Sequence, residues 1–160
     1  MQQVTPFLWF DNNAEEAVKF YTSIFKNSGI GTISRYTSEG AKASGQPEGT
    51  AMTVPFTLNG QNFTAINGGT VFKFTEAISF VVNCENQEEV DHFWNKLTEG
   101  GQEVQCGWLK DKYGLSWQVV PKQLGELLSN SDKGKAGRVM EAMLQMKKID
   151  VSKLEEAANQ

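Results

Sequence analysis

The stretch Asn-Ala-Glu-Glu-Ala-Val-Lys-Phe-Tyr at residues 13–21 decides the fold, because a second version of it returns later in the chain. That version, Asn-Gln-Glu-Glu-Val-Asp-His-Phe-Trp, occupies residues 86–94, at an offset of 73 residues. In each version, apolar side chains recur at helical spacing. Asn13 is a favoured N-cap residue, and the Glu-Glu pair that follows suits the positive end of a helix dipole. We therefore predict two related amphipathic helices, at 14–25 and 86–98, within an internal repeat.

Extended segments surround both helices in the same order. Asn59-Gly60 between two alternating runs is a two-residue hairpin signal. The hairpin stretch Asn-Gly-Gln-Asn-Phe-Thr at residues 59–64 aligns with Tyr-Gly-Leu-Ser-Trp-Gln at 113–118. The Gly/Ser/Pro-rich residues 38–49 predict a loop. Strands are predicted at 4–10, 30–37, 50–58, 61–67, 76–83, a segment reaching about Leu109, and 115–120.

This order predicts an α+β fold made of two βαββ(β) modules, residues 1–70 and 71–121, which form one domain over residues 1–121. Residues 122–160 are predicted to be a helical extension that packs on this core or on a dimer partner. Its methionine-rich face has the spacing of a packing surface. Ser152 and Glu155 fit a capping box that would open the last helix.

Composition excludes several classes of protein. The chain has 160 residues, 39% hydrophobic and 21% charged, which is typical of one globular domain. Its net charge of −4 and the absence of a basic run argue against nucleic-acid binding. No segment has the ~20 apolar residues of a membrane helix, and no basic-then-apolar leader is present. Cys84 and Cys106 stand far apart, as expected of reduced thiols. We therefore expect a cytoplasmic protein with no membrane or nucleic-acid partner.

Four stretches carry a resemblance to a known family: residues 10–21, 72–84, 106–121 and 139–150. With the β-α-β-β-β repeat, they resemble the vicinal oxygen chelate superfamily of glyoxalase-like and bleomycin-resistance-like proteins. More narrowly, the chain resembles its PhnB-like branch, whose members often carry the label 3-demethylubiquinone-9 3-methyltransferase. The resemblance implies that each module curls into a half-open β-barrel, that the pair encloses a cavity, and that the protein is a homodimer.

In relatives that use a metal, the resemblance implies two protein ligands from each module. Counting from the aligned helices and hairpins places these positions at Pro6, Thr64, Ser79 and Gln118. Divalent metals are bound by imidazole, carboxylate or thiolate groups, and Pro6 has no side-chain donor at all. We therefore expect no metal and no cofactor.

The remaining cavity lining is aromatic, hydroxyl and amide in character, which suits a small, neutral or partly aromatic organic ligand. By alternation of strand faces, we expect Pro6, Leu8 and Phe10 to line it from the first strand. The full set of predicted ligand-binding residues is Pro6, Leu8, Phe10, Thr64, Ile66, Ser79, Trp108, Ser116 and Gln118. The expected function is therefore metal-independent binding of a small molecule.

Two alternatives stay open. The first is a simple isomerase or lyase that positions its substrate through Ser79 and Gln118. The second is a protein-interaction role for the methionine-rich extension, with a vestigial cavity. Lys110 and Asp111 precede a turn glycine and are expected to form that turn, with a substrate-facing role as the alternative. A methyltransferase is not expected, because no glycine-rich turn lies between a strand and a helix.

Overall fold

The structure is a computed structural model that describes residues 2–160. It contains two compact units, the first ending at Phe74 and the second beginning at Thr75. Each unit combines one β-sheet with helices, which confirms the predicted α+β class. Within the described residues, every helix is too short or too polar to cross a membrane.

Unit 1 is a mixed sheet with one long helix on one face. Its strands follow the order β1-β5-β4-β2, with β3 also paired to β4, and β1 runs parallel to β5. The elements are β1 (Phe7–Phe10), α1 (Ala14–Ile24), β2 (Gly29–Ile30), β3 (Ser34–Arg35), α2 (Ser38–Ser44), β4 (Ala51–Leu58) and β5 (Gln61–Asn67).

Unit 2 repeats this topology and then adds three helices. Its strands follow the order β6-β9-β8-β7, and β6 runs parallel to β9. First and last strands are thus neighbours in both sheets, which confirms the predicted repeat. The elements are β6 (Ser79–Cys84), α3 (Gln87–Leu97), β7 (Gln102–Glu103), β8 (Trp108–Lys110), β9 (Ser116–Pro121), α4 (Lys122–Leu128), α5 (Lys133–Leu144) and α6 (Val151–Asn159).

The core of unit 1 lies between α1 and the sheet. Tyr21 of α1 is fully buried and its ring stacks on Phe56 of β4, with centroids 6.4 Å apart. Phe56 stacks in turn on Phe63 of β5 at 5.2 Å. Such aromatic pairs add to the free energy already gained by burying their area. The apolar stripe of the helix therefore selects which sheet face becomes core.

Local predictions fail at four places. The strand predicted over 30–37 is present only as the two-residue strands β2 and β3. Residues 38–44 form helix α2 rather than a loop, because Thr37 caps it by accepting from Gly40 N. Asn13 makes no side-chain capping bond, although it precedes α1. The last helix begins two residues earlier than the capping box predicts, because Asp150 and not Ser152 is its N-cap, accepting from Lys153 N at 3.2 Å.

The extension packs within unit 2 of its own chain. Val139, Ile149 and Leu154 are completely buried in a shared apolar cluster. Met143 and Met146 are partly buried against this cluster, whereas Met140 of α5 is 41% exposed. Most of the methionine-rich face thus contributes to packing.

Candidate ligand-binding faces

In unit 2, four of the predicted site residues lie on the sheet face that α3 does not cover. The register pairs Ser79 with Ser116 and Trp108 with Gln118, and side chains two residues apart on a strand share a face. Lys110 is paired with Ser116 and belongs to the same set. We call these five residues the polar face of unit 2. That they bind a ligand stays a prediction.

Ser79 and Gln118 are bonded to each other on this face. Gln118 Nε2 donates to Ser79 Oγ at 2.9 Å, and both side chains are half-buried. An amide has two N–H donors and a carbonyl acceptor, and a hydroxyl has its own donor. The pair therefore still has the Gln118 carbonyl oxygen, one amide N–H and the Ser79 O–H to offer a ligand.

Trp108 differs from the other tryptophans in the use of its indole N–H. Three indoles donate within the chain at 2.8 Å: Trp9 to Gly69 O, Trp94 to Glu103 Oε1, and Trp117 to Asp111 Oδ2. Trp108, among the residues that the structure describes, is the one tryptophan whose indole N–H has no partner in the protein. Its ring is half-buried. It therefore presents both an apolar surface and a donor beside Gln118.

The charged member of this face is already paired. Lys110 Nζ donates to Glu76 Oε1, and this hydrogen bond lowers the pKa of the Glu76 carboxyl group. A carboxyl group with a lowered pKa stays ionised and is a weaker base. The polar face thus has a neutral hydrogen-bonding part beside a compensated ion pair.

In unit 1, the predicted face of β1 is wrong. The register pairs Leu8 with Ala65 and Phe10 with Asn67, and all four side chains are buried on the face that α1 covers. Pro6, just before β1, contributes its carbonyl oxygen as acceptor for Thr64 N at 3.0 Å. We expected Pro6, Leu8 and Phe10 to share a face with Thr64 and Ile66. They lie on the opposite face instead.

Phe7 and Trp9 take the places expected for those residues. Phe7 is paired with Thr64, and Trp9 with Ile66, on the face opposite α1. We call these four residues the aromatic face of unit 1. Phe7 is 59% exposed, and the Trp9 ring is in edge-to-face contact with Phe72 at 4.9 Å. Aligning β1 with β5 as neighbouring strands, instead of counting back from α1, could have identified Phe7 and Trp9.

The error has a simple cause. Three residues separate β1 from α1, whereas two separate β6 from α3. Counting back from the aligned helices therefore shifts β1 by one residue, and a shift of one residue moves every side chain to the other face. In unit 2 the same count reaches Ser79, which does share a face with Ser116 and Gln118.

The turn before β9 is built around a buried carboxylate. Asp111 is only 3% exposed, and its Oδ1 accepts from Tyr113 N at 2.8 Å and from Leu115 N at 3.1 Å. Its Oδ2 accepts from Trp117 Nε1 at 2.8 Å. The predicted turn role of Asp111 is confirmed, and the contact with Trp117 ties that turn to the core of unit 2.

The two cysteines have different environments. Cys84 is 1% exposed, and burial raises the pKa of its thiol from 9.0 to about 12, with the Glu89 carboxylate adding to the effect. Cys106 is half-buried. Because the thiolate is the reactive form, Cys84 is expected to be inert in the folded protein.

We predict that a thiol reagent at pH 8 modifies one cysteine of the native protein, Cys106, and both after denaturation. Cys84 binds its proton more tightly when folded, so its contribution to stability is complete below pH about 9 and is lost as the pH rises towards 12. Cys84→Ala should remove this part of the alkaline destabilisation, and Cys106→Ala should not. Peptide mapping and unfolding curves from pH 8 to 11 check both points. Rapid labelling of native Cys84 would contradict them.

The positions that the resemblance assigns to metal ligands do not fit a divalent cation. Ser79 and Gln118 supply a hydroxyl and an amide bonded to each other, Thr64 a hydroxyl, and Pro6 no side-chain donor. Neutral oxygens without an anionic neighbour bind such ions weakly. Residues 2–160 also contain no group of three or more His, Cys, Asp or Glu arranged to hold a metal.

Comparison with known proteins identifies the family of this chain. A family model described as 3-demethylubiquinone-9 3-methyltransferase matches residues 2–120. A solved structure from Bacillus cereus, described as a 3-demethylubiquinone-9 3-methyltransferase, PhnB protein, is 42% identical, with a TM-score of 0.67. The match covers 75% of this chain and 99% of that one. No curated protein matches the chain.

More distant structures show the fold alone. Protein PA1353 from Pseudomonas aeruginosa is 18% identical over 76% of this chain and 98% of its own, with a TM-score of 0.62. The fosfomycin resistance protein FosX from Listeria monocytogenes, complexed with Mn(II) and sulfate, is 14% identical over 75% and 89%, with a TM-score of 0.51. From the model match and the Bacillus cereus relative, this chain belongs to the PhnB-like, 3-demethylubiquinone-9 3-methyltransferase family.

Proposed function

We propose that this protein binds a small, neutral organic molecule without a metal, and that the polar face of unit 2 makes the orienting contacts. The observation that carries the proposal is the hydrogen-bonded pair of Ser79 and Gln118 beside the unpartnered indole N–H of Trp108. Small-molecule sites typically combine aromatic surface with a few polar groups that fix orientation. The aromatic face of unit 1 is a second surface suited to the same class of ligand.

The chemistry of the polar face favours a neutral ligand. Moving a charged group of a ligand out of water without giving it a partner of opposite charge costs on the order of several kcal/mol of binding free energy or more. Lys110 is already paired with Glu76, so this face has no uncompensated charge to offer. β6, β9 and β8 are adjacent strands, and side chains on the outer two lie about 10 Å apart. A planar molecule of one or two rings, with an amide-like or hydroxy-carbonyl edge, matches this arrangement.

Binding is preferred to proton-transfer chemistry for this face. The isomerase or lyase alternative needs a general base, and the pKa of Glu76 is lowered by its hydrogen bond with Lys110. Methyl transfer is not proposed, because the glycine pairs lie elsewhere than in strand-to-helix turns. Gly29 begins β2 after α1, Gly68 follows β5 and precedes β6, and Gly101 lies between α3 and β7.

The test begins with native mass spectrometry of protein purified from cell extract without a chelator. We expect a retained organic mass, no stoichiometric metal, and a homodimer, the assembly that we propose on the resemblance. The compound so identified is then titrated against Gln118→Ala. One lost hydrogen bond should weaken binding about 2- to 12-fold. Asn95→Ala, an exposed amide on α3, is the matched control and should leave the affinity unchanged.

Three results would contradict the proposal. A stoichiometric divalent metal would show that the neutral side chains at the aligned ligand positions do not prevent metal binding. An equal loss of affinity in Gln118→Ala and Asn95→Ala would place the ligand elsewhere. Chemical turnover of the retained compound, reduced in Gln118→Ala, would favour the isomerase or lyase alternative instead.

A further inference from the structure

The connector between α5 and α6, residues 145–150, forms backbone hydrogen bonds with the segment that leads into β8. Cys106 N donates to Met146 O at 2.7 Å, and Gly107 N donates to Lys147 O at 2.8 Å. Trp108, the unpartnered indole of the polar face, is the next residue in the chain. The connector therefore holds the two residues that set the direction in which Trp108 leaves the backbone.

Those two residues have an unusual backbone. Both lie in the left-handed region, with φ of 61° at Cys106 and 81° at Gly107. A non-glycine residue in this region is disfavoured by roughly 1–2 kcal/mol, so Cys106 keeps this conformation only while its surroundings hold it. A Cβ at Gly107 would lie 2.9 Å from Val119 O and 3.1 Å from Ile149 Cγ1. The segment is thus packed between β9 and the connector.

The backbone of the connector is fixed to α3 by the side chain of Gln87. Gln87 Nε2 donates to Ile149 O at 3.0 Å, and Gln87 Oε1 accepts from Val151 N at 2.8 Å. Ile149 is completely buried between these bonds, and Lys148 forms an ion pair with Asp91 at 2.7 Å. Gln87 is therefore placed to determine where the connector lies, although it does not belong to the polar face.

We infer that the connector positions Trp108 and thereby sets the affinity of the polar face, with Gln87 as the positioning residue. The effect on affinity rests on the proposed function, whereas the position of Trp108 does not. The connector lies beyond residue 120, where the match to the family model ends.

The experiment uses full-length protein labelled with 5-fluorotryptophan and read by 19F NMR. Trp108→Phe assigns the Trp108 resonance. In Gln87→Ala, we expect that resonance to shift or broaden while those of Trp9 and Trp117 stay in place. Gln87→Glu keeps the acceptor for Val151 N but places a carboxylate oxygen against Ile149 O and Asp91 Oδ1, so it should also change the Trp108 resonance and is the second test of the same role. Gln123→Ala is the matched control, because Gln123 donates to Glu85 O from α4 and does not touch the connector.

The outcomes separate the two proposals. An unchanged Trp108 resonance in both folded Gln87 variants overturns the positioning role, whether or not a ligand is found. A change in Trp108 without any retained organic mass in the wild type supports the positioning role and counts against ligand binding. A change in Trp108 together with weaker binding of the retained compound supports both. An equal change in Gln123→Ala would mean general loosening of unit 2 and would overturn the inference.

Discussion

Replacing Asp111 with alanine is expected to lower the free energy of unfolding by about 3–5 kcal/mol, since it leaves buried donors without an acceptor. Asp111 accepts from the backbone N–H groups of Tyr113 and Leu115 and from the indole N–H of Trp117. An unsatisfied buried donor costs about 1–3 kcal/mol, and the Leu115 and Trp117 bonds are buried. Urea unfolding followed by far-UV circular dichroism measures the loss.

Asp91→Ala is the matched control for this substitution. Asp91 is also an aspartate of unit 2, but its ion pair with Lys148 is partly exposed, and such pairs contribute about 0–1 kcal/mol. Trp117→Phe removes one donor while keeping an aromatic ring. Combined with Asp111→Ala, it should cost at least ~1 kcal/mol less than the sum of the two single substitutions, because the orphaned indole donor is gone. Strict additivity, or a loss no larger than that of Asp91→Ala, would show that the carboxylate is not the centre of this turn.

Replacing Asn67 with alanine is expected to cost about 2–4 kcal/mol, through two buried groups of unit 1. Asn67 is 4% exposed; its Oδ1 accepts from Ala14 N at 2.8 Å, and its Nδ2 donates to Ala51 O at 3.0 Å. One side chain on β5 thus caps α1 and also satisfies a carbonyl group of β4. Thermal unfolding followed by circular dichroism provides the measurement.

Asn62→Ala provides the comparison, because Asn62 lies on the same strand and is exposed. Its removal should change the free energy of unfolding by less than about 0.5 kcal/mol. Hydrogen exchange adds a local measurement, since the amide of Ala14 should lose protection in Asn67→Ala and keep it in Asn62→Ala. Unchanged protection of Ala14 would show that α1 does not depend on a cap from β5.

The residue that caps α1 could not be predicted from the local sequence. In α3, Asn86 Oδ1 accepts from Glu89 N within the same turn, which is the local arrangement that the sequence pattern suggests. In α1, the matching asparagine makes no such bond, and the acceptor comes from Asn67, more than fifty residues away. The two helices begin with similar sequences, but the acceptor that caps each of them comes from a different part of the chain. A long-range partner of this kind leaves no local signal.

The placement of the candidate site residues on sheet faces was likewise predicted in part, correctly on the sheet of unit 2 and wrongly on β1. In unit 2, alternation along the last strand grouped Ser116 with Gln118, the count that the resemblance implies added Ser79, and the strand register places Trp108 with them. On β1 the count failed, because one extra residue before α1 reverses which side chains face the helix. The role of the connector in holding Cys106 and Gly107 was likewise out of reach, since backbone hydrogen bonds between distant segments do not depend on recognisable side chains.

The amino-acid sequence by itself determined the α+β class, the repeated β-α-β-β-β order, the family, and the mismatch between the ligand positions and a divalent metal. The class and the repeat follow from periodicity and turn residues, which are local properties of the chain. The family and the ligand positions rest on a resemblance to known proteins, and the mismatch follows from the donor chemistry of the residues at those positions. Only the tertiary structure decided which face of β1 is core, which residue caps α1, and what holds the backbone before Trp108. Those depend on strand register and on contacts between distant segments, where a shift of a single residue reverses the result.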